Sequence, residues 1–387
     1  MTLDFLAEEL EELRARGLYR TTRSIEGPQG PRVTIDGKNL LNLSSNNYLG
    51  LADHPKIKKA AAKALQRYGA GAGASRLVSG DMPPHRELEV HLARFKGTEA
   101  ALLFNSGYHA NLAIITALVG RGDVILSDRL NHASLIDAAI LSRSKIKRYP
   151  HCDTDTLGRF LREHRQSRRR LIVTDGLFSM DGDIAPLKEI ARLAERYDAI
   201  LMVDDAHATG TLGEHGRGSL EHHGIASSDI IQMGTLGKAI GSFGAFVAGR
   251  RELIDYLINR ARPFIFTTAL PPSVCAASSA ALEIIREEPE LIEALRERAA
   301  FMRSALKAAG LNTMTSESQI IPLLIGDPEK TVAVSDSLLA EGLYVQAIRP
   351  PTVPAGTSRL RITVMATHSF DDLRSAARTI TKVIAEN

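Results

Sequence analysis

Two stretches of the chain predict both its fold and its chemistry. They are Ile200-Leu201-Met202-Val203-Asp204-Asp205-Ala206-His207 and Ile230-Ile231-Gln232-Met233-Gly234-Thr235-Leu236-Gly237-Lys238-Ala239. Each begins as a short, mostly apolar run, which predicts a buried strand, and then passes into polar or glycine-rich residues. The pattern therefore predicts a covered sheet whose strand ends carry an acid, a histidine and a lysine.

Strand-like and helix-like segments alternate around these two stretches. The predicted strands are 101–104, 123–126, 171–174, 200–203, 230–233 and 245–248, and the predicted helices are 85–95, 111–118, 135–141 and 187–197. This alternation predicts an α/β fold with a mainly parallel sheet covered by helices.

The C-terminal part of the chain has a different pattern. Two long helical patterns precede strands near 320–325 and 359–364, and a final helix follows. This order predicts a smaller α+β domain. We expect three segments in all: an N-terminal helix and strand segment at 1–48, a large domain at 49–271 and a small C-terminal domain at 272–387.

Composition excludes several classes of protein. The 387 residues are 44% apolar and 24% charged, with a net charge of +3, which is typical of a soluble globular protein. Cys152 and Cys275 are far apart and lack metal-ligand spacing, so we expect no metal, no disulfide framework and a cytoplasmic location. No apolar run approaches the roughly 18 residues of a membrane span. The basic run Arg168–Arg170 is interpreted as a solvated loop, so no nucleic-acid partner is expected.

Five predicted strands are followed by residues that can do chemistry. In open parallel sheets, ligands bind outside the carboxyl ends of the strands. The polar segments that follow these ends are Asn105–Tyr108, Asp128–His132, Asp175–Asp183, Asp204–His207 and Thr235–Lys238. We therefore expect one site along this edge of the sheet.

Lys238 and Asp204 together indicate the cofactor. Lys238 lies among small residues, which leaves room for a Schiff base with an aldehyde cofactor, although a surface lysine is the simpler interpretation of this segment alone. Asp204 ends a buried strand, and a buried carboxylate needs a partner such as a pyridinium nitrogen. The alternative for Asp204 is a helix N-cap. The pair predicts pyridoxal 5'-phosphate.

Other residues match the remaining parts of that cofactor. His132 is placed to stack on the ring face. His207 is placed to reach the phenolic oxygen, although it can also be an ordinary loop histidine. Gly107 and Tyr108 open a predicted helix, whose free N–H groups suit a phosphate. Thr235 can add a hydroxyl.

At this point the motifs carry a family resemblance. They are Ser44–Gly50, Gly73–Arg76, Asn131–Ser134, Phe178–Asp183, Asp204–His207 and Gly234–Lys238. In this order and over nearly the whole chain they resemble the α-oxoamine synthases, which are pyridoxal phosphate enzymes of fold type I. The resemblance implies a PLP-dependent acyltransferase that joins a small amino acid to an acyl thioester and releases carbon dioxide.

The resemblance also implies roles for the site residues. Lys238 would form the Schiff base and then remove the α-proton of the amino acid. Asp204 would pair with the pyridine nitrogen and His207 with the phenolic oxygen. His132 would stack on the ring and assist acyl transfer, and Ser179 would contact the cofactor.

Further positions are assigned by the same resemblance. Thr267 and Thr268 match a segment that reaches the phosphate of the neighbouring subunit, which implies a homodimer with shared active sites. Arg361 would bind the substrate α-carboxylate. The other substrate-binding positions are Arg20, Asn47 and Thr352, together with His132. Asp175 departs from the Glu that relatives often carry, which puts the detailed geometry there in doubt.

Two C-terminal segments indicate which substrates are used within this family. Ala347–Pro354 and Arg359–Arg361 most resemble the members that condense L-alanine with a pimeloyl thioester in biotin biosynthesis, with loss of the thiol. Pimeloyl-CoA and pimeloyl-acyl carrier protein both stay open as the acyl donor. The alternatives are 2-amino-3-oxobutyrate CoA ligase, which uses glycine and acetyl-CoA, or another α-oxoamine synthase such as 5-aminolevulinate synthase. An aminotransferase of the same fold and a non-catalytic binding module are alternatives from other classes.

Overall fold

The computed structural model describes residues 3–226 and 228–386, so the predicted domain ends at residues 1 and 387 lie outside the described chain. Two compact units are present. The larger unit comprises the described residues within 51–179 and 183–293, and the smaller unit comprises those within 1–50, 180–182 and 294–387. The division of the sequence at 48/49 and 271/272 stays a proposal.

The larger unit is built on one central sheet. Its strands, in the described chain, are β3 (Ala100–Phe104), β4 (Val124–Asp128), β5 (Lys145–Tyr149), β6 (Arg170–Asp175), β7 (Ile200–Asp204), β8 (Ile231–Thr235) and β9 (Ala245–Gly249). Their spatial order is β3-β9-β8-β7-β6-β4-β5. Within this sheet β9 runs in the opposite direction to the other strands. The predicted α/β fold with a mainly parallel sheet is confirmed.

Helices cover this sheet because its strands are apolar on both faces. The helices of the larger unit are α2 (Pro55–Tyr68), α3 (Pro83–Lys96), α4 (Gly107–Leu118), α5 (Ala133–Ser142), α6 (Thr154–Glu163), α7 (Leu187–Arg196), α8 (Ser219–His222), α9 (Arg251–Arg260), α10 (Arg262–Ile265) and α11 (Pro272–Glu287). Buried apolar side chains of α4 and α5 form one core with the strands, and those of α6 and α7 form a second core. Both strand faces are thereby removed from water.

All six predicted strands of this sheet are present, and five of them extend further at their carboxyl ends than predicted. The prediction missed β5, whose sequence Lys-Ile-Lys-Arg-Tyr is charged and mostly accessible. The strand lies at the outer edge of the sheet, beside β4 alone. An edge strand need not be apolar, so its sequence does not resemble that of the buried strands.

The smaller unit contains two three-stranded sheets. One consists of β1 (Arg32–Ile35), β2 (Lys38–Asn42) and β11 (Leu343–Tyr344), and the other of β10 (Ile320–Gly326), β12 (Gln346–Ile348) and β13 (Ser358–Thr363). Its helices are α1 (Phe5–Ala15), most of α12 (Glu290–Ala308), α13 (Pro328–Ala340) and α14 (Phe370–Glu386). The predicted helices and the two predicted strands are present, whereas α13 was not predicted.

Within residues 3–226 and 228–386, none of the helices combines the length and the apolar character that a membrane span requires.

Candidate active site

The carboxyl ends of five strands form one edge of the central sheet. Strands β4, β6, β7 and β8 are mutually parallel, and β3 runs the same way because β9 is antiparallel to both β3 and β8. The predicted polar segments follow these strand ends directly. The predicted polar segments therefore lie along one edge of the central sheet.

Lys238 and His207 meet at this edge. The Lys238 Nζ lies 2.7 Å from the His207 Nε2. His207 is buried, and Lys238 is half-buried in the turn that follows β8. The histidine follows β7 and the lysine follows β8, so the pairing of these two neighbouring strands brings the side chains together.

Asp204, at the end of β7, is a buried carboxylate with neutral donors. It is 3% exposed. Its Oδ2 accepts a hydrogen bond of 2.8 Å from the Asn111 Nδ2, and its Oδ1 accepts one of 3.0 Å from the backbone N–H of Ala206. A buried carboxylate is stabilised more strongly by a cation than by neutral donors, so the position suits a cationic ligand group.

Asp175 lies beside Asp204 because the register of β6 and β7 pairs the two residues. The Oδ2 of Asp175 accepts a 2.8 Å hydrogen bond from the backbone N–H of His132. Burial, followed by the nearby Asp204 carboxylate, raises the pKa of Asp175 well above its ordinary value. Two neighbouring carboxylates in a buried site do not both ionise readily, which accounts for the raised pKa of Asp175.

His132 is the N-cap residue of helix α5 and keeps an accessible ring. Its Nδ1 lies 2.8 Å from the Ser134 Oγ and accepts the Ser134 backbone N–H at 3.2 Å. Removal of water by the surrounding protein lowers the pKa of His132, and the nearby Lys238 lowers it further, whereas Asp204 raises it. The imidazole is therefore expected to be neutral at pH 7.

The N-terminus of α4 provides backbone donors. The Ser106 Oγ accepts the N–H of His109 at 3.2 Å, while the N–H groups of Gly107 and Tyr108 belong to the first turn, where no acceptor exists within the helix. The Tyr108 hydroxyl donates to the Asp137 Oδ2 at 2.6 Å. Tyr108 therefore offers its backbone N–H rather than its hydroxyl to an anion.

Other predicted cofactor-binding residues have structural contacts as well. The Thr235 Oγ1 donates to the Gly244 carbonyl at 3.0 Å and accepts the Gly237 N–H at 3.2 Å. The Thr268 carbonyl accepts a 2.9 Å hydrogen bond from the Asn105 Nδ2, so it lies at the end of β3. Thr267 precedes it and is half-buried, as is Ser179 in the turn after β6.

Four of the five predicted substrate-binding residues lie in the smaller unit, whereas His132 lies in the larger unit. Arg361, on β13, is 7% exposed and donates to the Asn46 Oδ1 at 3.2 Å and to the Tyr48 hydroxyl at 3.3 Å. Asn47 is also buried, and its Nδ2 donates to the Gln29 carbonyl at 3.3 Å. The structure thus brings Arg361 to the segment that contains Asn47.

Arg20 and Thr352 line a second feature of the smaller unit, a cavity of about 340 Å³. Arg23 and Arg349 also line it, with Asp336 as its acidic residue. Arg23 donates to the Asp336 Oδ1 at 2.9 Å, and Arg20 is exposed and donates to the Pro350 carbonyl at 3.4 Å. The excess of arginines over carboxylates in this lining favours an anionic ligand.

A cluster of possible metal ligands in the larger unit has a different explanation. Asp128, His151 and Cys152 place ligand atoms near one another. However, the His151 Nδ1 lies 3.1 Å from the Asp128 Oδ1 and its Nε2 lies 2.7 Å from the Asp183 Oδ2. Hydrogen bonds to these carboxylates outweigh partial burial and raise the pKa of His151 to about 12. A protonated ring with two donating nitrogens offers no lone pair to a metal.

Comparison with known proteins identifies the family. The model of the family described as aminotransferase class I and II matches residues 38–380 of this chain. The chain belongs to this family. It therefore shares the family's fold, as the central sheet above already indicates.

Individual members of the family match nearly the whole chain. Proteins named 8-amino-7-oxononanoate synthase are 58% identical in Geobacter sulfurreducens, covering 98% of this chain and 97% of the relative, and 58% identical in Geobacter metallireducens, covering 96% and 95%. The resemblance to the α-oxoamine synthases is confirmed.

Solved structures of family members give the same result. A serine palmitoyltransferase from S. paucimobilis with PLP and myriocin bound is 33% identical, covers 99% of this chain and 97% of its own, and has a TM-score of 0.93. An 8-amino-7-oxononanoate synthase from Francisella tularensis is 28% identical, covers 90% and 98%, and has a TM-score of 0.78. The predicted fold type I architecture is confirmed.

The sequence did not predict two buried residues that contact the aspartates at this edge of the central sheet. Asn111 lies fully buried on α4 and contacts Asp204, and Lys96 lies fully buried on α3, where its Nζ is 2.9 Å from the Asp205 Oδ2. The available signal for Asn111 was a single amide among the apolar residues of α4. Lys96 lies at the end of an ordinary charged helix, so its sequence gave no signal of burial.

Proposed function

We propose that this protein condenses L-alanine with a pimeloyl thioester to give 8-amino-7-oxononanoate, carbon dioxide and the free thiol, a step of biotin biosynthesis. The observation that carries the reaction class is the cluster of Lys238, His207 and buried Asp204 at one sheet edge. The 58% identity to proteins named 8-amino-7-oxononanoate synthase, over nearly all of both chains, supports the substrates.

The cofactor is pyridoxal phosphate, and the donor set fits it. An amine on Lys238 matches the aldehyde, and the buried carboxylate of Asp204 matches a protonated pyridine nitrogen. The N–H groups of Gly107 and Tyr108 at the start of α4 match the phosphate. When bound, the cofactor supplies an electron-accepting ring that spreads the negative charge left on the amino acid after loss of its α-proton.

The residues of the chain perform the remaining tasks. Lys238 takes the α-proton of alanine at its Nζ and returns a proton to the condensed product. His207, 2.7 Å away, orients this amine and donates to the phenolic oxygen. His132 presents its accessible ring to the cofactor face and assists acyl transfer. Asp204 would pair with the pyridine nitrogen of the bound cofactor.

Further contacts complete the proposed cofactor site. Ser179 and Thr235 contribute hydroxyl groups, with the Thr235 Oγ1 held in place by Gly244 and the Gly237 N–H. Thr267 and Thr268 would bind the phosphate group of the cofactor held by a second copy of this chain. We therefore propose a homodimer with shared active sites, which light scattering of the purified protein tests.

The smaller unit provides the substrate contacts in this proposal. Arg361, whose guanidinium is held by Asn46 and Tyr48, binds the α-carboxylate. Asn47 lies between Asn46 and Tyr48 in the sequence. Arg20 and Thr352 line the arginine-rich cavity, which suits the distal carboxylate of a pimeloyl chain.

Cys152 and Cys275 are free thiols, which supports a cytoplasmic location.

A product assay tests the proposal. PLP-loaded protein is incubated with L-alanine, glycine or L-serine against pimeloyl-, acetyl-, succinyl- and palmitoyl-CoA, and also with pimeloyl-acyl carrier protein, and products are identified by mass spectrometry. We expect the highest kcat/KM with L-alanine and a pimeloyl donor. Preference for glycine with acetyl-CoA, or for L-serine with palmitoyl-CoA as in the named serine palmitoyltransferases, would overturn the substrate assignment.

A further inference from the structure

A chain of hydrogen bonds connects Asp204 to His132 through two residues to which the proposed function gives no role. The Asn111 Nδ2 donates to the Asp204 Oδ2 and to the Ser134 Oγ, each at 2.8 Å. The Ser134 Oγ in turn lies 2.8 Å from the His132 Nδ1. Asn111 and Ser134 are 0% and 1% exposed, so water does not compete for these bonds.

The Asp204 carboxylate sets the direction of this chain. A carboxylate only accepts hydrogen bonds, so the Asn111 amide must turn its NH₂ group toward Asp204. The opposite orientation would bring the Asn111 Oδ1 against the carboxylate oxygen. In the observed orientation, the buried Oδ1 of Asn111 has no hydrogen-bond partner within the described chain. Leaving this buried oxygen unpaired is unfavourable, which indicates that the contacts of the NH₂ group determine the amide's orientation.

Ser134 passes the direction on to the imidazole. Its Oγ receives a hydrogen from Asn111, so its own hydroxyl hydrogen is available for the His132 Nδ1. The Ser134 backbone N–H also points at this nitrogen, at 3.2 Å. With two donors directed at it, the Nδ1 is an acceptor, and the ring proton must lie on the Nε2.

We propose that Asn111 and Ser134 are positioning residues that use the negative charge of Asp204 to fix His132 as the neutral tautomer protonated at Nε2. The proposal deepens the proposed function and rests on it, because that function places His132 and Asp204 at the same cofactor. The ring thereby presents an N–H donor on its accessible side. The other charged groups that act on it are Lys238 and Asp137.

The test reads the tautomer of His132 in the apoprotein. Diethyl pyrocarbonate acylates an unprotonated imidazole nitrogen, and mass spectrometry of the peptide containing residue 132 gives the rate at this residue alone. In the native protein the Nδ1 is occupied and the Nε2 is protonated, so reaction at pH 7 is slow. In Ser134→Ala the Nε2 becomes unprotonated more often, and we expect the rate to rise about fivefold, the ratio that one hydrogen bond of about 1 kcal/mol gives.

Two control variants accompany Ser134→Ala. Ser134→Thr keeps the hydroxyl and is expected to restore the slow rate. Ser142→Ala removes a buried hydroxyl from the other end of α5, where it donates to the Ala139 carbonyl, and is expected to leave the rate unchanged. An equal rate at His132 in Ser134→Ala, Ser142→Ala and the native protein would overturn the proposal.

Asn111→Ala tests the first part of the series of hydrogen bonds, the contact between Asn111 and Asp204. It is expected to raise the His132 rate less than Ser134→Ala does, because Ser134 can still donate. An unchanged rate in a folded Asn111→Ala protein would overturn the link to Asp204. Since the readout needs neither cofactor nor turnover, failure here is distinct from failure of the proposed function, which the product assay on the native holoenzyme decides.

Discussion

Strand β7 ends at Asp204 and Asp205 follows it directly, and these two aspartates have different hydrogen-bond partners. Asp205 accepts hydrogen bonds from Lys96 at 2.9 Å and from the Ser219 N–H and hydroxyl, and both members of the Lys96–Asp205 pair are fully buried. Asp204, one residue earlier, accepts from the Asn111 amide and the Ala206 N–H, which are neutral.

The same contrast holds for the two lysines. Lys96 contacts a carboxylate and also donates to the Arg217 carbonyl, so its charge is matched within the fold. Lys238 is half-buried and lies 2.7 Å from the His207 imidazole. A charge matched within the fold serves stability, whereas a buried carboxylate with neutral donors at a strand end, such as Asp204, is suited to a ligand.

The largest effect that tests this contrast is expected at Lys238. Lys238→Ala should lower kcat by about 10³-fold or more, because it removes the group that carries the proton, while the midpoint of urea unfolding of the apoprotein stays close to the native value. The visible absorbance of the PLP-loaded protein should disappear as well. Retention of turnover together with this absorbance would contradict the role of Lys238.

Asp204→Asn is expected to have the second largest effect on activity. An amide cannot supply the charge that keeps a pyridine nitrogen protonated, and a charge-assisted hydrogen bond contributes about 1.5–3 kcal/mol, so kcat should fall by about 10²-fold. The variant should still fold and bind PLP. Single-turnover rates with L-alanine and pimeloyl-CoA measure the effect, and near-native rates would mean that the two aspartates do not differ in function.

This contrast could be predicted only in part from the sequence. The apolar run before Asp204 and the small residues around Lys238 indicate strand ends and an open turn, which predicted the fold, the edge and the main site residues. Asn111 reaches Asp204 across 93 residues of sequence, and Lys96 reaches Asp205 across 109. Contacts of this kind follow from the packing of α3 and α4, and one sequence does not encode them as a local pattern.

The missed elements have a related cause. Helix α13 has only a few fully buried residues, Thr331, Val334 and Leu338, and its other apolar positions are accessible. Strand β5 is charged because it lies at a sheet edge. In both places the apolar periodicity that predicts an element is weak, because little of the element is buried.

On the Lys96–Asp205 side, we expect loss of stability. Lys96→Met removes one partner of a buried ion pair and should lower the free energy of unfolding by about 3–5 kcal/mol. The double variant with Asp205→Asn should cost less than the sum of the single variants, because no unpaired buried charge remains. Urea unfolding of the apoprotein measures all three. Additive costs, or a loss of kcat in the folded protein as large as that of Asp204→Asn, would remove the distinction between the regions.

The smallest effect is expected at Asp175, the carboxylate across from Asp204 on β6. Its pKa is raised, so the folded state holds a proton that the unfolded chain releases above the ordinary value of 3.8. A raised pKa contributes stability that is present at low pH and is lost as pH rises, because the unfolded chain then gains from ionisation.

Asp175→Asn should therefore keep kcat within about threefold of the native value, because an amide oxygen can still accept the His132 N–H and the raised pKa of Asp175 favours its neutral form. It should also gain stability relative to the native protein as pH rises from about 4 to 8. Urea unfolding at both pH values and the alanine assay measure this, with Asp204→Asn as the matched substitution on the neighbouring strand. A fall in kcat as large as that of Asp204→Asn would mean that Asp175 acts as an anion, and the site would then contain two working carboxylates instead of one.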